Sequence, residues 1–136
     1  MHKDYEFINL ILINDNKHHL RCGIIDFQSA FIGFKGWDLF SILENSRLDF
    51  PRKLNEELIK YFYDNTHFSI DYNTFLEQYY ILNLVRQTRL IGRWTKLFNL
   101  GNEKYIKYLI PTKKRITYCL SNIKENNLKK IYEKYL

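Results

Sequence analysis

The sequence predicts an α+β fold that is mainly α, in which a short β-hairpin leads into a helical bundle. The first third of the chain carries short continuous apolar runs that are separated by a cluster of turn-forming residues. From Trp37 onward the apolar residues recur at helical spacing. With only two prolines and five glycines in 136 residues, the chain lacks the turn density of an all-β protein. Its length suits one ordinary domain.

The hairpin is predicted over residues 7–25. An apolar first strand spans residues 7–13, the turn cluster Asn-Asp-Asn-Lys occupies residues 14–17, and a second strand spans residues 19–25 and ends at Asp26. Five helices are expected after it, over residues 37–47, 51–63, 72–100, 111–124 and 128–135. Pro51 suits the first turn of its helix, and Asp71 is the predicted N-cap of the longest one.

The net charge of +6 favours anionic partners: nucleotides, nucleic acid, phosphorylated small molecules or membrane surfaces. Charge alone does not choose among them. Cys22 and Cys119 lack the spacing of a metal site or a redox pair, so we predict buried free thiols in a reducing compartment. No run approaches the length of a membrane span, and residues 1–4 do not resemble a signal peptide. We therefore predict a cytoplasmic protein that does not bind membranes.

One constellation of residues points to chemistry. His2, Asp4 and Asn9 fit H-x-D-x-x-x-x-N, the catalytic-loop pattern of kinases. The sequence Asp26-Phe27-Gln28 follows directly after the second strand, where kinases carry D-F-G. A hairpin between the two loops would bring their polar groups to the same end of a small sheet.

Phosphoryl transfer needs groups of these types. A carboxylate beside the acceptor hydroxyl can orient it and take its proton, and Asp4 is the candidate. Asn9 and Asp26 offer hard oxygen ligands for Mg²⁺ on the nucleotide phosphates. A plainer interpretation remains open, in which Asp4 and Asn9 are loop caps, His2 is a flexible terminus and Asp26 only ends a strand.

Residues 23–33 (Gly-Ile-Ile-Asp-Phe-Gln-Ser-Ala-Phe-Ile-Gly), followed by Trp37-Asp38-Leu39, resemble the aminoglycoside phosphotransferase and choline kinase superfamily. Within it, the chain is most similar to bacterial amino-sugar kinases that phosphorylate N-acetylmuramate and N-acetylglucosamine at the anomeric position. Residues 86–97 resemble the Q-R-x-x-K-x-L-G-x-F-x-R-L helix of that group. The likeness covers almost the whole chain and fits the C-terminal lobe of a protein-kinase-like fold. Ser29 departs from the pattern, because relatives often carry a second acid there.

The resemblance implies a role for each matching position. Asp4 would be the catalytic base, His2 a structural brace, and Asn9 and Asp26 the Mg²⁺ ligands. Asp38 would anchor the catalytic loop, although an acid in the first turn of a helix is also favoured by the helix dipole alone. The cofactors implied are ATP and Mg²⁺, and the implied acceptor is a hydroxyl of a sugar or amino sugar.

Arg86, Arg89 and Arg93 share one predicted helix face, which continues a stripe begun by Phe75 and Tyr79. These arginines would either contact the acceptor or a phosphate, or form a solvated basic face. Both interpretations stay open.

As a domain, residues 1–136 are expected to form a single C-terminal kinase-like lobe. Residues 1–36 would hold the catalytic loop, the hairpin and the Asp-Phe-Gln loop, and residues 37–136 the helical subdomain. The glycines form no phosphate-binding loop, so we expect that an N-terminal nucleotide-covering lobe is absent. The chain would then be a truncated or split gene product, or one half of a two-chain kinase whose partner is a separate N-terminal lobe chain.

Three functions compete at this point. The first is an ATP-dependent small-molecule kinase lobe. The second is a catalytically inactive remnant or binding module of such a kinase. The third is a basic nucleic-acid binder, which the charge favours but which no recognisable motif supports, so no nucleic-acid partner is predicted.

Overall fold

The computed structural model describes residues 1–13 and 21–134, and it divides the chain into two compact units, Met1–Phe50 and Pro51–Leu136. In the part that the structure describes, the first unit contains a two-stranded antiparallel sheet, a short 3-10 helix and one α-helix. The second contains the remaining helices. The predicted fold class, α+β and mainly α, is confirmed.

The hairpin is shorter than predicted. A 3-10 helix spans Phe7–Asn9 and is followed by strand β1 over Leu10–Leu12, which pairs with strand β2 over Cys22–Ile24. Residues 7–9 do not continue the strand, because the Asn9 N–H bonds back to the Glu6 carbonyl at 2.9 Å and closes a turn. The predicted turn at residues 14–17 and the start of the second strand lie outside the described residues.

The prediction that Cys22 is buried is wrong, because its side chain is exposed. It pairs with Leu12 in the sheet register, and Leu12 is itself 84% exposed. A sheet of two strands with three residues each has few neighbouring side chains, so the pair at its end stays exposed to solvent. Cys119, by contrast, is fully buried, as predicted.

Helix α1 of the first unit spans Trp37–Leu43 and ends four residues before the predicted limit. The reason lies at Asn45, whose side-chain oxygen accepts the Arg47 N–H at 2.9 Å while its carbonyl accepts the Leu48 N–H at 3.1 Å. Asparagine side chains that bond to the backbone two residues on form a turn in place of helical hydrogen bonds.

The second unit is built around one long helix. Its helices are α2 over Arg52–Asp64, α3 over Tyr72–Asn99, α4 over Leu109–Asn122 and α5 over Asn126–Glu133. A 3-10 helix that the sequence did not predict spans Glu103–Tyr108, and α3 packs chiefly against this segment and α4. Helix α4 begins two residues before Pro111, so the proline lies in the first turn. The N–H groups of a first turn have no acceptor within the helix, and the missing N–H of proline therefore costs no helical hydrogen bond there. Among the described residues, no helix is both long and apolar enough to cross a bilayer.

The N-terminus of α3 carries the predicted cap. One Asp71 carboxylate oxygen accepts the N–H groups of Asn73 and Thr74, at 2.9 and 3.1 Å, and the other accepts the Thr74 hydroxyl. These hydrogen bonds hold the pKa of the Asp71 carboxyl below its ordinary value, with the Thr74 hydroxyl as the largest cause. The cap therefore keeps its charge and weakens only as the pH falls into the acid range.

The C-terminus of α3 is closed by backbone bonds around Gly101. The Asn102 N–H bonds to the Leu97 carbonyl at 3.0 Å, and the Gly101 N–H bonds to the Phe98 carbonyl at 2.9 Å. This pair of bonds is the Schellman motif, which requires a left-handed residue, and Gly101 supplies it with φ +87°.

Two glycines of the second unit allow a matched test of these backbone requirements. A Cβ atom would meet nothing within 4 Å at Gly92, inside α3, or at Gly101. We expect Gly92→Ala to raise the free energy of unfolding by about 0.5–1 kcal/mol, because alanine is the better helix former. Gly101→Ala should lower it by about 1 kcal/mol, because alanine disfavours a positive φ. Urea unfolding of both variants measures the difference, and shifts of the same sign would contradict it.

Candidate active site

The loop of residues 1–4 is tied to the start of α1 by one carboxylate. Asp38 Oδ2 accepts the His2 N–H at 2.7 Å, and Oδ1 accepts the Lys3 N–H at 3.1 Å. The neighbouring Trp37 Nε1–H donates to the Lys3 carbonyl at 3.3 Å. Hydrogen bonds to a charged acceptor are stronger than neutral ones, so Asp38 fixes the path of the loop.

Lys3 is in the left-handed conformation, with φ 79°. For a residue with a Cβ, this conformation costs about 1–2 kcal/mol. The hydrogen bonds that Asp38 accepts and the one that Trp37 donates must offset this strain. The strained turn directly precedes Asp4, whose side chain is exposed and makes no hydrogen bond or ion pair among the described residues. Backbone strain of this kind is concentrated at functional sites.

His2 joins this loop to the end of the hairpin. Its ring is buried, and Nε2 lies 2.9 Å from the Ile25 carbonyl, so Nε2 carries the proton and donates it. Its Nδ1 is buried and accepts no hydrogen bond in the part of the chain that the structure describes. The ring also packs edge-on against Tyr5 at 6.0 Å. His2 is thus placed as a brace between the loop and the residue that precedes Asp26.

Asn9 contacts both of the other polar positions. Its amide nitrogen donates to the Asp4 carbonyl at 2.8 Å and faces Asp26 Oδ2 at 3.5 Å. Both neighbours are acceptors, which identifies this atom as the nitrogen. No described residue donates a hydrogen bond to the Asn9 side-chain oxygen. The backbone continues the link, because the Ile25 N–H bonds to the Asn9 carbonyl at 3.0 Å.

Asp26 comes directly after β2 and Ile25 and is the second non-glycine residue with a positive φ, 65°. Its side chain is exposed, and Oδ1 accepts the side-chain N–H of Gln28. The structure therefore brings Asp4, Asn9 and Asp26 together at one end of the hairpin. The sequence interpretation did not include the contact from Gln28, although a glutamine in the glycine position of D-F-G was a visible signal.

Tyr5 lies beside these groups and is not a base at neutral pH. Burial raises the pKa of its phenol, and the charges of Cys22 and Asp38 raise it further. Asp38 accepts the His2 and Lys3 N–H groups, whereas the Asp4 carboxylate makes no hydrogen bond among the described residues.

A metal ion at this site would have few protein ligands. Among the described residues, no group of three or more His, Cys, Asp or Glu side chains could hold a metal. Asp26 and the Asn9 side-chain oxygen remain as one carboxylate and one neutral oxygen donor. Mg²⁺ in phosphate-binding sites is commonly held by one or two carboxylates, with waters and substrate phosphates completing its shell.

The three arginines of α3 do not share one environment. Arg86 is 4% exposed and lies beside the buried Gln87, whereas Arg89 and Arg93 are exposed. The apolar stripe that begins with Phe75 and Tyr79 continues through Arg86, so this guanidinium lies in the core of the second unit. Of these three arginines, Arg89 and Arg93 are the two that are exposed to solvent.

The anchoring contacts generate a prediction about the first unit. Asp38→Asn replaces one carboxylate oxygen by an amide nitrogen, which cannot accept a hydrogen bond. The substitution should lower the free energy of opening this loop by about 2 kcal/mol and therefore speed amide exchange at His2 and Lys3 roughly thirtyfold. Asp4→Asn is the matched control, because its carboxylate has no partner among the described residues, and exchange should not change. Hydrogen exchange followed by NMR measures both variants, and equal exchange rates in the two would contradict the anchoring role of Asp38.

Comparison with known proteins adds one relationship. The chain is 25% identical over 137 residues to an N-acetylmuramate/N-acetylglucosamine kinase of Caulobacter vibrioides. The matched region takes in 99% of this chain but 37% of that kinase, so the chain spans little more than a third of its relative. No protein-family model matches the chain. The similarity supports a distant relationship to a kinase.

Proposed function

We propose that the chain is the C-terminal catalytic lobe of a kinase of the aminoglycoside phosphotransferase type, which transfers the γ-phosphoryl group of ATP to a hydroxyl of a sugar or amino sugar. The observation that carries the proposal is the cluster of Asp4, Asn9 and Asp26 at one end of the hairpin. The similarity to an amino-sugar kinase supports the choice of acceptor class.

Asp4 is the proposed catalytic base. Its exposed carboxylate accepts a hydrogen bond from the acceptor hydroxyl and orients the oxygen toward the γ-phosphorus. As the new P–O bond forms and the bond to ADP breaks, the hydroxyl proton passes to the Asp4 carboxylate and then to solvent. The Asn9 amide holds the backbone of Asp4 in place at 2.8 Å.

Asn9 and Asp26 are the proposed Mg²⁺ ligands. The donor set fits this ion, because the Asn9 side-chain oxygen has no hydrogen-bond donor among the described residues and Asp26 offers an exposed carboxylate. Bound Mg²⁺ would neutralise charge on the ATP phosphates. The chain itself contributes the fixed positions of the two oxygens, through the bond between the Ile25 N–H and the Asn9 carbonyl.

Asp38 and His2 are proposed to act through position alone. Asp38 holds the N–H groups that precede Asp4, and His2 connects the same loop to the Ile25 carbonyl. Neither side chain needs to exchange a proton with substrate in this arrangement.

For the arginines, we propose that the exposed Arg89 and Arg93 contact a phosphate or an acidic acceptor group. Guanidinium groups bind such anions through paired hydrogen bonds. The sequence pattern places Arg86 in the same proposed group of arginines. Because Arg86 is buried, an alanine substitution there would change folding stability before it reported on ligand binding.

We further propose that turnover requires a nucleotide-covering polypeptide in addition to these residues. The relative that this chain matches is almost three times as long as the matched region. Such a segment could be supplied by fusion or as a separate chain.

The decisive experiment measures phosphorylation of N-acetylmuramate and N-acetylglucosamine by the chain combined with the remaining segment of the matched kinase. Asp4→Asn should lower kcat by about 10²–10⁴-fold and leave nucleotide affinity nearly unchanged, because the amide keeps the size but cannot take the proton. Asp26→Asn should instead shift the Mg²⁺ requirement to higher concentrations.

A near-normal kcat for Asp4→Asn would show that the base is misassigned. If the wild-type combination folds and binds ATP but transfers no phosphate, the alternative of an inactive remnant or binding module is favoured instead.

The arginine assignment has its own test in the same assay. Arg89→Ala and Arg93→Ala should each raise the KM for the acceptor by about 3–10-fold while kcat changes less, the pattern of lost ground-state binding. Lys113→Ala, an exposed cation on α4, is the control for a general loss of positive charge. Equal effects of all three substitutions would place Arg89 and Arg93 on an ordinary solvated face.

A further inference from the structure

Two side-chain amides face the two oxygens of the Asp26 carboxylate. Gln28 Nε2 donates to Oδ1 at 2.5 Å, and Asn9 Nδ2 faces Oδ2 at 3.5 Å. Only the nitrogen end of an amide can donate to a carboxylate, so the Gln28 carbonyl oxygen points away from Asp26. The Asn9 contact is at the outer limit of hydrogen-bond distance, whereas Gln28 is within it, so Gln28 is the donor that holds the side chain.

We infer that Gln28 is a positioning residue for metal binding, which fixes the Asp26 carboxylate so that its remaining lone pairs are presented to Mg²⁺. This inference rests on the proposed function. Asp26 is exposed and adopts φ 65°, so nothing in a packed core defines its side-chain rotamer. A donor two residues further along the chain supplies that definition, and partners that orient a metal ligand commonly set the affinity of the site.

The chemistry of glutamine suits this task. A lysine in its place would add a positive charge that repels a cation, and a glutamate would repel Asp26 itself. An amide donates a hydrogen bond without changing the charge of the site. The loop geometry supports a stable position for Gln28, because the Ala30 N–H bonds to the Phe27 carbonyl at 2.9 Å and closes a turn around it.

The test is Mn²⁺ binding to the full 136-residue chain, measured by electron paramagnetic resonance of the free ion. Gln28→Met keeps the length of the side chain and removes the amide. We expect the Mn²⁺ dissociation constant to rise about 10-fold, which is the lower end of the range seen when a partner that orients a metal ligand is lost. Ser29→Ala, in the same loop, should bind Mn²⁺ like the wild type, and neither variant should change the melting temperature.

Two outcomes separate the inference from the proposed function. If Asp26→Asn binds Mn²⁺ as tightly as the wild type, the metal site itself is wrong. If Asp26→Asn weakens binding but Gln28→Met does not, the site stands and the role of Gln28 is overturned.

The Gln28 side-chain NH₂ signals distinguish positioning from direct ligation. During a Mg²⁺ titration followed by NMR, they should keep their hydrogen-bonded chemical shift, because the amide continues to donate to Asp26. Loss of that shift on metal binding would mean that the amide has turned its oxygen to the ion, which would overturn positioning in favour of ligation.

Discussion

The first unit depends on the Asp38 carboxylate. It stands in the first turn of α1 and accepts two successive backbone N–H groups, those of His2 and Lys3. Without this acceptor, two buried or half-buried donors would lose their partner, and the left-handed turn at Lys3 would lose the bonds that offset its strain. Three features of the candidate site depend on that anchored loop: Asp4 follows the turn directly, His2 is bonded to Ile25, and the Asn9 amide is bonded to the Asp4 backbone.

The three carboxylates of the candidate site differ in their hydrogen-bond partners. Asp38 is occupied by backbone donors, Asp26 is held by a glutamine amide, and Asp4 has no partner among the described residues. In the proposed kinase, this difference would give distinct tasks to three chemically identical groups. A fully bonded carboxylate serves structure, whereas a held but exposed one suits a cation and a free exposed one suits proton transfer. In the proposed kinase, structural and chemical roles are therefore divided among residues that all belong to the first unit.

The second unit has a different basis of stability. Helix α3 is capped at both ends, by the Asp71 side chain and by the left-handed Gly101, and it carries a buried row that includes Phe75 and Tyr79. Caps satisfy the backbone groups that a helix leaves unpaired at its ends, and aromatic burial supplies the apolar area that holds it against its neighbours. Arg89 and Arg93 of the same helix are exposed, so their charges cost no desolvation.

The sequence alone determined the fold class, the approximate positions of the α-helices, the Asp71 cap, and the grouping of Asp4, Asn9 and Asp26, because helical spacing, capping chemistry and motif order are local properties. Tertiary structure decided the rest. It ended α1 at the Asn45 turn, left Cys22 exposed, and buried Arg86 while Arg89 stayed in solvent. The tertiary structure also decided the contact between Gln28 and Asp26, because this contact requires Asp26 to adopt a left-handed backbone conformation. Periodicity can assign residues to a helix face, but only packing determines which part of that face is covered.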